Sequence, residues 1–177
     1  RAGHGDAKVS LHHGGRVGQH DCDGVALPNA ALLQCTGQLP AAAISLSPAL
    51  AKRAMHETDW VHDRKLRARV LDNLADAFER NRGELIKILC TENGKIQREA
   101  SFEVDLCAPS LQYFAGIVRT EAGRVVDSKP GRIAMMMRQP MGVACVIAPW
   151  NSPVILMVRS LAPALAAGCA VIIKMPG

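Results

Sequence analysis

Residues 139–177 carry the strongest indication of the fold and read QPMGVACVIAPWNSPVILMVRSLAPALAAGCAVIIKMPG. Val143 to Ile147 is a continuous apolar run with β-branched residues, which predicts a strand buried on both faces. Residues 154–167 predict a helix with little polar surface, and residues 170–173 predict a second buried strand. A strand, a helix and a strand in this order predict a βαβ unit of a parallel sheet.

A break follows the first predicted strand, and Gly168 is expected to end the helix. Open α/β sheets bind their ligands beyond the carboxyl ends of the strands, so residues after Ile147 are candidates for a binding site. Asn151 lies in this break, and its side-chain amide is a good donor to an oxygen that develops negative charge. The alternative is an asparagine that only stabilises the turn.

Upstream, residues 41–119 have helical periodicity. Leu66, Val70, Leu74 and Phe78 recur every four residues, which predicts an amphipathic helix of about five turns. Charged residues are expected on the opposite, solvent face of this helix: Arg67, Arg69, Asp72, Asp76 and Arg80.

Two further helical segments follow. The first is expected to end at Asn93-Gly94, because glycine readily adopts a left-handed stop. The second has one apolar stripe, which comprises Ile96, Ala100, Val104, Cys107, Leu111, Ala115 and Val118. Pro109 is expected to bend or interrupt it.

Residues 124–128 and 132–139 are extended segments around the turn signal Lys129-Pro130-Gly131, which predicts a β-hairpin. Three consecutive methionines, Met135 to Met137, lie between arginines and suit a surface that packs against another element. The alternative is an edge hairpin that covers part of one subunit.

Composition excludes several classes of protein. With 49% apolar and 21% charged residues, the chain is too hydrophobic for a disordered tail. The uncharged run from Gln139 to Val158 contains three prolines and an asparagine, so we expect no membrane-spanning helix. The net charge of +5 comes entirely from residues 106–177, with seven basic and two acidic side chains. Because this region lacks a dense basic stripe and has few aromatic residues, we expect no nucleic-acid partner.

Residues 1–40 differ from the rest, because four of the six histidines (His4, His12, His13 and His20) fall within the first 24 positions. A metal-binding tract is one interpretation. No cysteine or carboxylate spacing repeats around these histidines, which favours a poorly ordered leader and no metal site. No basic segment followed by an apolar stretch opens the chain, so we expect no secretory signal.

The six cysteines have no C-x-x-C spacing, and the last four lie in apolar segments: Cys90, Cys107, Cys145 and Cys169. This pattern is typical of reduced, mostly buried thiols in a cytoplasmic protein. Apolar burial raises the pKa of a thiol, so we expect these cysteines to be unreactive.

Several segments, in order and spacing, resemble the aldehyde dehydrogenase superfamily. They are Gln139-Pro140-Met141-Gly142-Val143, Ile147-Ala148-Pro149-Trp150-Asn151-Ser152-Pro153, Ala162-Pro163-Ala164-Leu165-Ala166-Ala167-Gly168 and Val171-Ile172-Ile173-Lys174. The segment Glu92-Asn93-Gly94-Lys95 is similar to the helix end E-T-G-K of that family. The resemblance covers residues 41–177.

The resemblance implies roles for six residues. Asn151 matches the asparagine that donates to the oxyanion when a cysteine attacks the aldehyde. Ile147, Ala148, Pro149 and Trp150 match a wall along the nicotinamide cofactor, and the matching residue for Lys174 binds the ribose of its adenosine. From the residues alone, Trp150 can equally be a packing residue, and Lys174 the solvent-facing end of a strand.

The resemblance further implies an incomplete aldehyde dehydrogenase fold of the α/β class. Residues 1–40 form the leader, 41–122 the helical part of the cofactor domain, 123–139 an oligomerisation hairpin, and 140–177 the first βαβ unit of a Rossmann-like NAD(P)-binding domain. Gly177 matches a position where many members have a glutamate that binds the ribose hydroxyls, so NAD and NADP both stay open.

The implied activity is oxidation of a small aldehyde to a carboxylic acid by a cytoplasmic homo-oligomer that assembles through residues 124–139. The family's nucleophilic cysteine and general-base glutamate have no counterpart in these residues, so we expect the isolated chain to be inactive. The alternative is a truncated or decayed non-enzymatic relative, or an assembly module that acts through its hairpin.

Overall fold

The computed structural model describes residues 32–35 and 41–176, with side chains from Pro48 onward. In chain order its elements are β1 (Leu32–Cys35), α1 (Ala41–Glu57), a 3₁₀ helix (Asp59–Val61), α2 (Arg64–Arg80), α3 (Arg82–Asn93), α4 (Gln97–Asp105), α5 (Cys107–Thr120), β2 (Arg124–Lys129), β3 (Arg132–Met136), β4 (Val143–Ile147), α6 (Pro153–Ala166) and β5 (Ala170–Lys174). The predicted α/β class, with a helical segment, a hairpin and a parallel sheet, is confirmed.

The sheet has the strand order β1-β5-β4, and both of its pairings are parallel. Strand β4 pairs with β5 from Val143 opposite Ala170 to Ile147 opposite Lys174, and α6 connects them. The predicted βαβ unit is therefore confirmed.

Strand β1 lies within residues 1–40, where the sequence predicted a poorly ordered leader. Four of these residues instead form a strand that pairs with β5 on the side opposite β4. An unpaired side of a strand offers backbone N–H and C=O groups to any extended segment. The four N-terminal histidines lie outside the described residues.

The two strands of the βαβ unit differ in burial. In β5, Val171 and Ile173 are buried, as predicted. In β4, Val146 is buried while Cys145 and Ile147 are exposed, so the prediction of a strand buried on both faces was wrong for β4. The register places Val146 beside Ile173 on the face that packs against the helices. Cys145 and Ile147 lie on the opposite face of β4, which the described part of the chain leaves uncovered.

Helix α2 confirms the predicted amphipathic helix and begins at Asp63, whose carboxylate accepts the N–H of Leu66 at 2.9 Å. The fully buried Leu71 shares the core with Leu111 of α5 and Leu161 of α6. These three helices therefore share one core, and α6 is the one among them that packs against β4 and β5.

Arg67 is a correction, because the sequence placed it on the solvent face of α2 and only 3% of it is exposed. It lies one turn before the buried Leu71. Its Nη1 donates to the carbonyls of Trp60 and Val61 at 3.2 and 2.6 Å. Burial lowers the pKa of this guanidinium from its ordinary value, an effect that the nearby Glu121 opposes.

The predicted apolar stripe from Ile96 to Val118 is divided between helices α4 and α5, and the break between them lies at Leu106. Pro109 lies in the first turn of α5, where a backbone N–H has no acceptor within the helix. The N–H that proline lacks is therefore not needed at this position, and the proline does not interrupt α5. Ala100 and the later members of the stripe are buried, but Ile96 is 63% exposed because it precedes the first turn of α4. The stop at Gly94 is confirmed by a φ of +68°.

Strands β2 and β3 form the predicted antiparallel hairpin, with Arg124 opposite Met136. Its turn lies at Pro130 and Gly131, and Gly131 has a φ of +75°. Every residue of β2 is exposed in the described chain.

The turn from α6 into β5 is held from two sides. Gly168 has a φ of +85°, and a Cβ at this position would lie 2.8 Å from Cγ of Pro140 and 3.1 Å from Nη1 of Arg67. The indole Nε1 of Trp60 donates to the carbonyl of Cys169 at 3.1 Å. The start of β5 is therefore tied to the segment that precedes α2.

The described thiols differ in exposure. Cys107 and Cys169 are buried, and Cys90 is half-buried. Cys145 is exposed on the open face of β4, so its predicted burial was wrong. Burial, assisted by the nearby charge of Glu103, raises the pKa of the Cys107 thiol to about 12.

We predict that Gly168→Ala lowers stability by at least about 1–2 kcal/mol, because an alanine at this positive φ is strained and its methyl meets Pro140 and Arg67. The measurement is the midpoint of thermal unfolding of the complete protein. Gly83→Ala is the matched control, since a Cβ at Gly83 in α3 meets nothing within 4 Å. A Gly168→Ala protein as stable as the Gly83→Ala control would contradict the assignment.

We predict that Cys107 resists alkylation by iodoacetamide in the native protein at pH 8, where a pKa of about 12 leaves about one thiol in ten thousand ionised. Peptide mass spectrometry after brief labelling measures the extent, and the denatured protein is the control. Because the pKa is raised, labelling stays low as the pH passes the ordinary thiol value of about 8.5. Labelling of native Cys107 with a midpoint near pH 8.5 would contradict the prediction.

Candidate functional site

Strands β4 and β5 end at the same edge of the sheet, where Ile147 lies opposite Lys174. The N–H of Ala148 donates to the carbonyl of Lys174 at 2.9 Å, which extends the ladder by one residue. The six residues that the sequence singled out therefore lie where the two strands end: Ile147 and Lys174 end β4 and β5, and the other four lie in the turn that follows β4.

That turn, which we call the β4–α6 turn, comprises residues 148–152. Ala148 is buried, whereas Pro149, Trp150 and Asn151 are exposed. Trp150 is 62% exposed, so it is no core residue of the described chain. Trp150 and Asn151 of the turn, and Ile147 at the end of β4, are all exposed.

The end of α3 and the loop that follows it hold this turn at two points. The Nδ2 of Asn93 donates to the carbonyl of Trp150 at 2.7 Å. The Nζ of Lys95 donates to Oγ of Ser152 at 3.0 Å. The residues on both sides of Asn151 are therefore bound to the helical part of the chain.

Glu103 of α4 provides a third point of attachment. Its Oε1 accepts the N–H groups of Val154 and Ile155 at 2.8 and 3.2 Å, and its Oε2 binds Nζ of Lys95. These N–H groups are in the first turn of α6, which has no side-chain cap of its own. A carboxylate is favoured at this helix end because the exposed N–H groups carry positive partial charge.

The side chain of Asn151 forms no hydrogen bond with any part of the chain that the structure describes. The turn is instead held by Asn93, Lys95 and Glu103. This arrangement leaves the amide of Asn151 free to donate a hydrogen bond to another group. Lys174 is exposed, and its ammonium donates to the carbonyl of Met175 at 3.1 Å.

Glu103 was not among the site residues predicted from the sequence, and Asn93 and Lys95 were identified there only as parts of a helix end. The signal was present, because Glu103 lies three residues after Ala100 and four before Cys107, on the stripe predicted to face the core. A carboxylate on such a stripe requires a buried partner.

Within residues 32–35 and 41–176, no cluster of three or more histidine, cysteine or acidic side chains can hold a metal ion. The helices in the described ranges include none that is long and apolar enough to cross a membrane.

Comparison with known proteins gives consistent results. The family model described as "Aldehyde dehydrogenase family" matches residues 35–177. Vanillin dehydrogenase of Amycolatopsis sp. is 38% identical over 133 residues, which cover 75% of this chain and 26% of that protein.

Solved structures agree with this match. An NAD-dependent benzaldehyde dehydrogenase from Corynebacterium glutamicum superimposes with a TM-score of 0.70 at 33% identity, over 75% of this chain and 29% of that chain. Betaine aldehyde dehydrogenase from Staphylococcus aureus in complex with NAD+ gives a TM-score of 0.67 at 29% identity, over 70% and 25% of the two chains.

The chain spans about a quarter of the length of the curated relatives it matches. The family match covers most of the chain and includes the β4–α6 turn, both strands of the βαβ unit and the helices that hold them. The chain therefore belongs to the aldehyde dehydrogenase family.

Proposed function

We propose that this chain is the N-terminal part of an NAD(P)-dependent aldehyde dehydrogenase that oxidises a small aldehyde to a carboxylic acid, with Asn151 as the oxyanion donor. The observation that carries the proposal is the placement of Asn151. Its amide is exposed and unpartnered within the described chain, on a turn that is held on both sides and lies where two parallel strands end.

The chemistry of Asn151 follows from charge development at the aldehyde. When a nucleophile adds to the carbonyl carbon, the oxygen becomes an alkoxide and gains a full negative charge. An amide N–H that is already oriented towards this oxygen stabilises the transition state more than the ground state. A turn whose flanking residues are hydrogen-bonded keeps the donor oriented without reorganisation during the reaction.

The same edge fits a nicotinamide cofactor. Ile147 and Trp150 are 69% and 62% exposed and offer an apolar wall together with the exposed Pro149, whereas Ala148 is buried. The ammonium of Lys174 forms a single described hydrogen bond, so it retains donors for ribose hydroxyls. When bound, the cofactor supplies the acceptor for hydride.

The named relatives support NAD as the cofactor, since one is called NAD-dependent and another is in complex with NAD+. Gly177 lies outside the described residues, so the proposal includes NADP. The cytoplasmic location and the absence of nucleic-acid and membrane partners stay predictions.

We assign the nucleophilic thiolate and the general-base carboxylate to parts of the enzyme beyond these 177 residues. Cys107 and Cys169 are buried, and the pKa of Cys107 is raised to about 12, so neither is a suitable nucleophile; Cys145 is exposed but does not match the nucleophile of the family. We therefore expect the isolated chain to be inactive. Thiol-dependent aldehyde oxidation by the isolated chain would favour a different assignment.

We predict that Asn151→Ala in the complete enzyme lowers kcat by about 10²–10³-fold, the usual loss when one oxyanion donor is removed. The measurement is steady-state NADH formation with a panel of aliphatic and aromatic aldehydes. The affinity for NAD+, measured by fluorescence titration, is expected to change little, because the assigned role concerns the aldehyde oxygen.

Asn73→Ala is the matched control, since Asn73 is an exposed asparagine on α2 and is remote in sequence from the turn. This control is expected to retain the parent kcat. An Asn151→Ala enzyme whose kcat stays within a few-fold of the parent would remove the oxyanion role.

We further propose that the protein is a homo-oligomer that assembles through residues 124–139. Val125 lies directly opposite Met135, and Ile133 follows on the same face of the hairpin. These three side chains are 67%, 73% and 70% exposed. An apolar face of this kind is typical of a surface that another subunit covers.

We predict that the double substitution Val125→Glu with Met135→Lys reduces the oligomer to smaller species. The new charges face each other across the two strands, so the hairpin keeps a favourable cross-strand pair while its apolar face is lost. Sedimentation velocity of the complete protein measures the assembly state, and the thermal midpoint checks the fold. An unchanged sedimentation coefficient would exclude this face from the interface.

A further inference from the structure

We propose that Lys95 and Glu103 are positioning residues for Asn151, and that they act by fixing the β4–α6 turn against α4. This inference rests on the proposed function, because it concerns the orientation of the amide assigned as the oxyanion donor. Neither residue contacts Asn151 itself in the described chain. Their effect is transmitted through Ser152 and through the first turn of α6.

The two side chains form an ion pair that is almost removed from water. The side chain of Glu103 is 4% exposed and that of Lys95 is 13% exposed. All described bonds of the Glu103 carboxylate go to Lys95 and to the backbone of α6. Apart from the bond between them, the described hydrogen bonds of the two side chains therefore go to the start of α6 and to the turn before it.

The contacts lie directly beside the donor. Ser152, which accepts a hydrogen bond from Lys95, follows Asn151, and Trp150, whose carbonyl accepts one from Asn93, precedes it. Asn151 is thus the single residue between two anchored neighbours. Its side-chain direction depends on how firmly these neighbours are held.

A stabilising role alone does not account for the pair. Replacing a buried ion pair with apolar residues of similar size is often neutral or stabilising, so such a pair is weak support for stability. The orientation of the Asn151 amide places a stricter requirement on the turn than stability does, since a displacement of about 1 Å in a reacting group can lower a rate about 10²-fold. Lys95 and Glu103 bind the backbone and hydroxyl groups that set this orientation.

A double-mutant cycle in the complete enzyme tests the inference with Lys95→Met, Asn151→Ala and the two combined. Lys95→Met is expected to lower kcat/KM for the aldehyde by about 10–10²-fold in the parent background and by less than about twofold in the Asn151→Ala background. This result is expected because a positioning residue has little to position once the amide is gone. An equal loss in both backgrounds, or no loss in the parent, would overturn the inference.

Lys87→Met is the matched control, since Lys87 is an exposed lysine of α3 with no described side-chain contact. Ser152→Ala is the second variant, because it removes one contact of Lys95 and leaves the buried pair with Glu103 intact. It is expected to lower kcat/KM several-fold in the parent background only. If Lys95→Met does not fold, the cycle with Ser152→Ala decides the outcome by the same criterion.

Hydrogen exchange separates this inference from the proposed function. Backbone exchange in residues 148–156 is expected to accelerate in Lys95→Met and in Ser152→Ala and to stay unchanged in Lys87→Met. Unchanged exchange in the first two variants would overturn the positioning role whatever the activity. An inactive parent enzyme would instead overturn the proposed function, together with the catalytic consequence of positioning.

Discussion

The carboxylate of Glu103 joins the helical part of this protein to the βαβ unit through the start of α6. One oxygen accepts the N–H groups of Val154 and Ile155, and the other binds Lys95. Helix α6 has no side-chain cap from its own N-cap residue Ser152, so without Glu103 these N–H groups would lack partners. Because α6 begins directly after the β4–α6 turn, Glu103 places the candidate site together with Asn93 and Lys95.

A second connection, at the other end of α6, serves the same purpose. Trp60 donates to the carbonyl of Cys169, and Arg67 lies against Gly168, where the chain enters β5. The two connections come from segments that surround α2 and α4, so the helices hold both ends of the βαβ unit. The edge with Ile147 and Lys174 is therefore positioned by helices that precede it in the chain.

Local signals were sufficient for the parts of the candidate site that lie on one segment. The break after Ile147 and the amide of Asn151 were readable because they follow an apolar run that ends at a turn. Glu103 was not readable as a site residue, since it is 48 positions before Asn151 in the chain and looks like one more member of a helical stripe. Its role arises only when α4 packs against the start of α6.

The helices, the hairpin, the parallel βαβ unit and the stops at Gly94 and Gly168 could be predicted from the sequence, because periodicity, turn residues and positive φ are local properties. The burial of Arg67 and the exposure of Cys145 could not be predicted in this way and follow from the packing of the folded chain. Burial depends on what covers a face, and neighbours distant in the chain provide that cover. The same reason applies to the ion pair of Lys95 and Glu103, whose partners meet only in the folded chain.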